Sequence, residues 1–138
     1  MLKNAGFHKA VLYTTDVGTY AWAAKGFDYA EDVMGGRKAM LSNRTEDFRR
    51  AMASQYGLTA ADFSGGEWPA PKSARDFSQL TIPTPKRLRN NPPFMQEAAD
   101  VRALSSDAGT LKIGKLYFMK HHYSWKGELV LNKKRTSQ

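Results

Sequence analysis

The chain opens on residues 8–15 (HKAVLYTT), dense in β-branched and aromatic side chains, which predicts a strand. Residues 17–25 (VGTYAWAAK) then favour a short helix, with Asp16 placed to cap it and Gly26 to end it. Residues 27–29 read as extended, and residues 37–41 continue that strand after a turn at Gly35-Gly36. A clearer helix starts behind Asn43 or Thr45, with Glu46 and Asp47 in its first turn. Phe48, Met52 and Tyr56 share one face of it, Gly57 ends it, and Thr59 caps one further turn. From 64 to 93 the rhythm breaks at Gly65, Gly66, Pro69, Pro71, Pro83, Pro85, Pro92 and Pro93, which predicts an irregular connection packed along the body. Asn91-Pro92-Pro93 opens a second helix reaching about Ser105, with an apolar stripe of Phe94, Ala98, Val101 and Leu104. Beyond Gly109, two extended arms joined by a turn at Trp125-Lys126-Gly127 predict a C-terminal β-hairpin, and residues 132–138 form a frayed basic tail. The expected fold class is α+β, a single domain over residues 1–138. It would carry a small mixed or antiparallel sheet and two to four short helices.

Composition supports a packed core, with 41% hydrophobic and 12% aromatic residues in a chain of 138. No apolar run approaches the roughly 18 residues that span a bilayer, so no membrane partner is expected. The absence of cysteine excludes disulfides, thiolate zinc sites, iron–sulfur clusters and a cysteine nucleophile, and it fits a cytoplasmic or virion-associated setting. Charge changes the picture most. The formal net charge is +8, yet residues 1–71 hold eight basic and eight acidic side chains. Residues 72–108 hold six against four, and residues 109–138 hold seven against Glu128 alone. A basic second half attracts polyanions.

Residues 12–27 (LYTTDVGTYAWAAKGF) give strand, short alanine-rich helix and Gly-Phe entering a new strand. Over about residues 6–41 this resembles the C-terminal half of Gcn5-related N-acetyltransferase (GNAT-like) domains. The form is similar to segments in phage head-associated and bacterial secreted-toxin proteins. The resemblance implies a GNAT-like N-terminal part, but no segment has the Arg/Gln-x-x-Gly-x-Gly/Ala form of the family's acetyl-CoA loop. The position that often holds the family's general-acid tyrosine, four before Gly26, is Trp22. The resemblance therefore implies a truncated or repurposed domain, from which no acetyl-CoA binding and no cofactor are expected. Trp22 and Phe27 are expected as core aromatics holding the short helix against Val11 and Tyr13.

Few residues point to catalysis. His121 and His122 are neighbours on an expected strand, facing opposite sides and unsuited to one metal, and no HExxH or phosphate-loop spacing occurs. Two basic groups remain as candidate binding residues. Lys86, Arg87 and Arg89 lie in the proline-framed connection, and Lys112, Lys115, Lys120, His121, Trp125 and Lys126 lie along the expected hairpin. Cations interleaved with aromatic rings suit an acidic protein or nucleoprotein assembly, and equally DNA or RNA, whose bases stack on rings. The leading expectation is a non-enzymatic interaction protein of a phage or mobile element, a virion component or an inhibitor of a host machine. Direct nucleic-acid binding is the alternative. An acyltransferase completed by a partner chain is a third reading.

Overall fold

A computed structural model describes residues 9–13, 18–32, 35–122 and 125–130. Strand β1 (Lys9–Tyr13) leads to α1 (Gly18–Ala24) and β2 (Asp28–Tyr29), followed by the long helix α2 (Gly36–Tyr56). Single 3-10 turns at Ala60–Asp62 and Ser64–Gly66 precede α3 (Ala74–Ser78), β3 (Ile82–Pro83) and α4 (Lys86–Arg89). The chain closes with α5 (Pro92–Asp100), β4 (Thr110–Leu111), α6 (Ile113–Lys120) and β5 (Lys126–Val130). The fold is α+β. Among the described residues it holds six helices and two small antiparallel sheets, one ordered β1-β5-β2 and one pairing β3 with β4.

The expected C-terminal hairpin does not form. Residues 113–120 are helix α6, on which Ile113, Leu116 and Tyr117 share one side at i, i+3, i+4, and Phe118 is buried as well. Its aromatic content imitates a strand locally, and the tertiary seat overrides that tendency. Strand β5 pairs instead with the other end of the chain, Lys9 opposite Val130 and Tyr13 opposite Lys126, with Asp28 opposite Glu128 on its second edge. Lys126 and Gly127 begin this central strand, Trp125 directly precedes it, and the three form no turn.

Helix α2 is a second correction. It begins at Gly36, so residues 37–41 are helical and not the continuation of a strand. Gly35 and Gly36 have φ of +81° and +87°, a left-handed reversal that glycine adopts without Cβ strain. Arg37 anchors the start: its Nε donates to the Tyr29 carbonyl at 2.6 Å, and its guanidinium pairs with Glu128, with Glu31 at 3.6 Å and with Asp28 at 3.9 Å. Glu128 is 5% exposed, so this arginine ties the central strand to the first turn of α2. At the other end Gly57, φ +66°, closes the helix as expected.

Residues 64–93 carry more order than expected, with α3, β3 and α4 between the prolines. The second predicted helix is shorter than expected. It stops at Asp100 because Arg102 turns left-handed (φ +57°), with Arg102 N–H donating to the Ala99 carbonyl (2.9 Å) and Ala103 N–H to that of Ala98 (2.8 Å). The number of helices also exceeds the two to four expected, and α2 runs 21 residues.

The core gathers around Phe48, which meets Phe77 and Tyr117 edge-on at 5.3 Å, while Phe77 and Tyr117 stack in parallel at 5.2 Å. Phe27 is buried, whereas Trp22 is 38% exposed and Val11 46% exposed, so Trp22 does not hold α1 against β1 as expected. Trp22 packs edge-on against Phe27 at 5.3 Å, with Lys25 Nζ 5.9 Å from its ring. Trp22→Ala should therefore cost only about 1 kcal/mol, the worth of an exposed aromatic pair. Phe27→Ala should cost about 3–5 kcal/mol. Urea unfolding of the two variants checks the ordering, and equal losses would place Trp22 back in the core. Among the described residues no helix is long and apolar enough to cross a membrane, and residues 132–138, the expected frayed tail, lie outside them.

Candidate functional site

The chain folds three cations toward one another at the amino end of α6. Leu104 bridges Leu111, and Lys112 N–H donates to the Ala103 carbonyl at 2.6 Å, so the backbone of Arg102-Ala103 lies beside Lys112. Gly114 N–H donates to the Leu80 carbonyl at 3.1 Å, which seats α6 against the segment that follows α3. A Cβ at position 114 would lie 2.2 Å from the Phe77 carbonyl oxygen, so only glycine permits this approach. Lys115, three residues after Lys112 and on the same side of the helix, holds its Nζ 5.1 Å from the Tyr20 ring centroid. Tyr20, Ser78, Gln79, Leu80, Thr81 and Lys112 line a cleft of about 110 Å³.

The electrostatics of this corner are uncompensated. Partial burial lowers the pKa of Lys115 below the usual lysine value, and the charges of Lys112 and Arg102 lower it further. Among the described residues none of the three cations makes an ion pair, whereas Arg37, Arg49, Arg50, Arg87 and Lys126 do. The first turn of α6 carries no acidic residue, so Lys112 and Lys115 also face the positive end of their own helix dipole.

The other expected binding residues are distributed differently. Arg87 is committed internally, donating to Asp62 at 2.9 Å and to the Gly57 carbonyl at 2.8 Å, and it holds the Asp62 carboxyl below its usual range. Lys86 and Arg89 are exposed on α4, and Lys120 is exposed at the carboxyl end of α6, where a cation suits the dipole. Trp125 is 5% exposed, its Nε1–H donating to the Thr19 carbonyl at 3.3 Å, so its ring is interior and offers no stacking surface. Lys126 Nζ donates to Asp32 at 2.6 Å. Of the nine residues, the structure groups Lys112 with Lys115 and adds Arg102 and Tyr20, which sequence reading did not select. The only sequence signal for Arg102 is the modest basic excess of residues 72–108.

The two histidines follow α6 rather than a strand, and each meets a different tyrosine. His122 is buried, its Nε2 2.8 Å from the Tyr29 hydroxyl and its ring 4.4 Å from that of Phe118. Tyr56 donates to Glu97 at 2.9 Å, which leaves its oxygen to accept from His121 Nε2 at 2.8 Å. Burial lowers the His121 pKa below its ordinary 6.5; the Glu97 and Asp47 carboxylates oppose that shift and Lys120 adds to it. The folded protein thus accepts this proton less readily than the unfolded chain. The stability this contributes is full above about pH 6.5 and is lost as pH falls through the lowered folded value. Thermal melts at about pH 7.5 and about pH 5.5 should show a fall that His121→Gln reduces. An identical fall in the variant would assign it to other groups. Among the described residues no group of histidine, aspartate and glutamate is placed to hold a metal ion. Comparison with protein-family models, with curated proteins and with solved structures finds no match to this chain.

Proposed function

We propose that this chain is a non-enzymatic interaction protein that binds an acidic partner through the corner formed by Arg102, Lys112 and Lys115. The observation that carries the reading is the convergence of these three cations, none of them ion-paired among the described residues, at the positive end of a helix with no acid in its first turn. Like charges held together cost folding energy, and an external anion recovers that cost on binding. Lys86, Arg89 and Lys120 are exposed as well, and are further cations open to a larger acidic partner. The resemblance of residues 6–41 to GNAT-like segments of phage and toxin proteins supports a place in a mobile element, as a virion component or an inhibitor of a host machine. The testing experiment is charge reversal of Lys112 and Lys115, read as the affinity for labelled acidic polymers across a salt series.

A further inference from the structure

Resting on that reading of the corner as an anion-binding surface, we propose that the cleft between Tyr20, Thr81 and Lys112 receives a phosphate group. Its size, about 110 Å³, suits one small anion and excludes a whole nucleotide. Among the described residues no acid lines it. Lys112 supplies a full charge at one wall, and the ring of Tyr20, another lining residue, lies 5.1 Å from the Lys115 ammonium. The neutral lining is selective as well. The Ser78 hydroxyl is spent internally, donating to the Arg75 carbonyl at 2.7 Å and accepting from Gln79 Nε2 at 3.2 Å. Thr81 is exposed, and among the described residues neither its hydroxyl nor that of Tyr20 has a hydrogen-bond partner, which leaves two neutral donors in the lining beside the lysine. A planar carboxylate presents two oxygens and one charge, whereas a tetrahedral phosphate presents oxygens in several directions and up to two charges. Donors arriving from separate segments, beside three cations, match the second geometry better.

Arg102 adds an independent sign. It occupies the left-handed position after α5, where glycine is the usual residue and an L side chain is strained. An arginine there aids the helix end through the dipole, and it also brings a guanidinium to this corner. Replacing it with glycine relieves the backbone while removing the charge, so folding and binding are read separately.

The phosphate can come from a nucleic-acid strand or from a small phosphorylated compound, and the experiment distinguishes them. Binding of inorganic phosphate, thymidine monophosphate, a labelled dodecamer of deoxythymidine and labelled poly-L-glutamate is measured on the full chain, with Lys112→Gln, Thr81→Val and Arg102→Gly alongside. Phosphate should raise the melting temperature of the parent by mass action. Lys112→Gln should weaken phosphate and the dodecamer by roughly tenfold. Thr81→Val should weaken both by several-fold and leave poly-L-glutamate unchanged. Arg102→Gly should melt no lower than the parent and still bind phosphate more weakly. A dodecamer bound far more tightly than the monophosphate, and released by salt, identifies a nucleic-acid strand. Equal affinities identify a small phosphorylated compound. Poly-L-glutamate bound as tightly as the dodecamer, with Thr81→Val silent throughout, overturns the phosphate assignment while the acidic-partner reading stands. If no probe binds at low salt, both fall.

Discussion

Gly114→Ala should unfold this protein or bring it close to unfolding. An alanine for a glycine inside a helix ordinarily stabilises by about 1 kcal/mol. Here the new methyl would sit 2.2 Å from the Phe77 carbonyl oxygen and 3.0 Å from Leu80 N, and both are backbone atoms that no rotamer change can move. Relief requires α6 to withdraw from the α3 segment. That would break the Gly114–Leu80 hydrogen bond and separate the Phe77–Tyr117 stack at the middle of the core. The expected loss is about 4 kcal/mol or more, beyond the ~1–3 kcal/mol of ordinary overpacking, against a typical total of about 5–15 kcal/mol. Urea denaturation measures it directly. A variant that unfolds at the parent's midpoint would mean that α6 is not seated on residues 77–80, and the cleft described beside it would be lost as well.

The second large effect is on binding. Lys112→Glu with Lys115→Glu should weaken binding to an acidic polymer by at least about tenfold, or about 1.4 kcal/mol. The fold should survive, because the direction of every structural term is known. Two glutamates at the amino end of α6 face a favourable helix dipole, worth about 0.3–1 kcal/mol each. The repulsion between Lys112, Lys115 and Arg102 disappears, and what is lost is the contact of Lys115 with the Tyr20 ring, about 0.5–1 kcal/mol. Parent binding should decline as salt rises, since exposed charges are screened beyond about 10 Å at 0.1 M. Anisotropy titrations at low and high salt, paired with thermal melts, read both quantities. A doubly reversed protein that binds as the parent does, at every salt concentration, would reduce these lysines to a solubilising surface and end the proposed function.

Lys126 shows why charge alone selects a different set. Its run of basic neighbours makes Lys115, Lys120 and Lys126 look equivalent in the sequence, all on an arm with one nearby acid. Folding places Lys126 opposite Tyr13 in the sheet and against Asp32, Lys120 at the favourable end of a helix, and Lys115 beside Arg102 and the Tyr20 ring. Only the last retains unrelieved repulsion. Trp125 carries the same lesson for aromatics, since a ring flanked by lysines in sequence is buried against Thr19 in space.

By itself the sequence determined the elements whose causes are local. These are the strand at 9–13, the helix at 18–24 closed by Gly26, and the Phe48-Met52-Tyr56 face of α2 with its Gly57 end. They also include the Asn91 cap of α5, whose side chain accepts from Phe94 N–H. It also determined the α+β class and the basic second half. Capping, glycine conformation and apolar spacing act within a few residues, so they are legible without the fold. Tertiary structure alone decided that residues 113–120 coil into a helix, because a short apolar, aromatic run suits either state until a surface receives it. It decided that β5 crosses to β1 and β2, a pairing between chain ends that no local pattern encodes. It likewise decided the candidate site, in which Tyr20 of α1, Arg102 beyond α5 and the pair Lys112 and Lys115 at the start of α6 come from three separate segments. Their meeting depends on a glycine at 114 that lets two backbones touch.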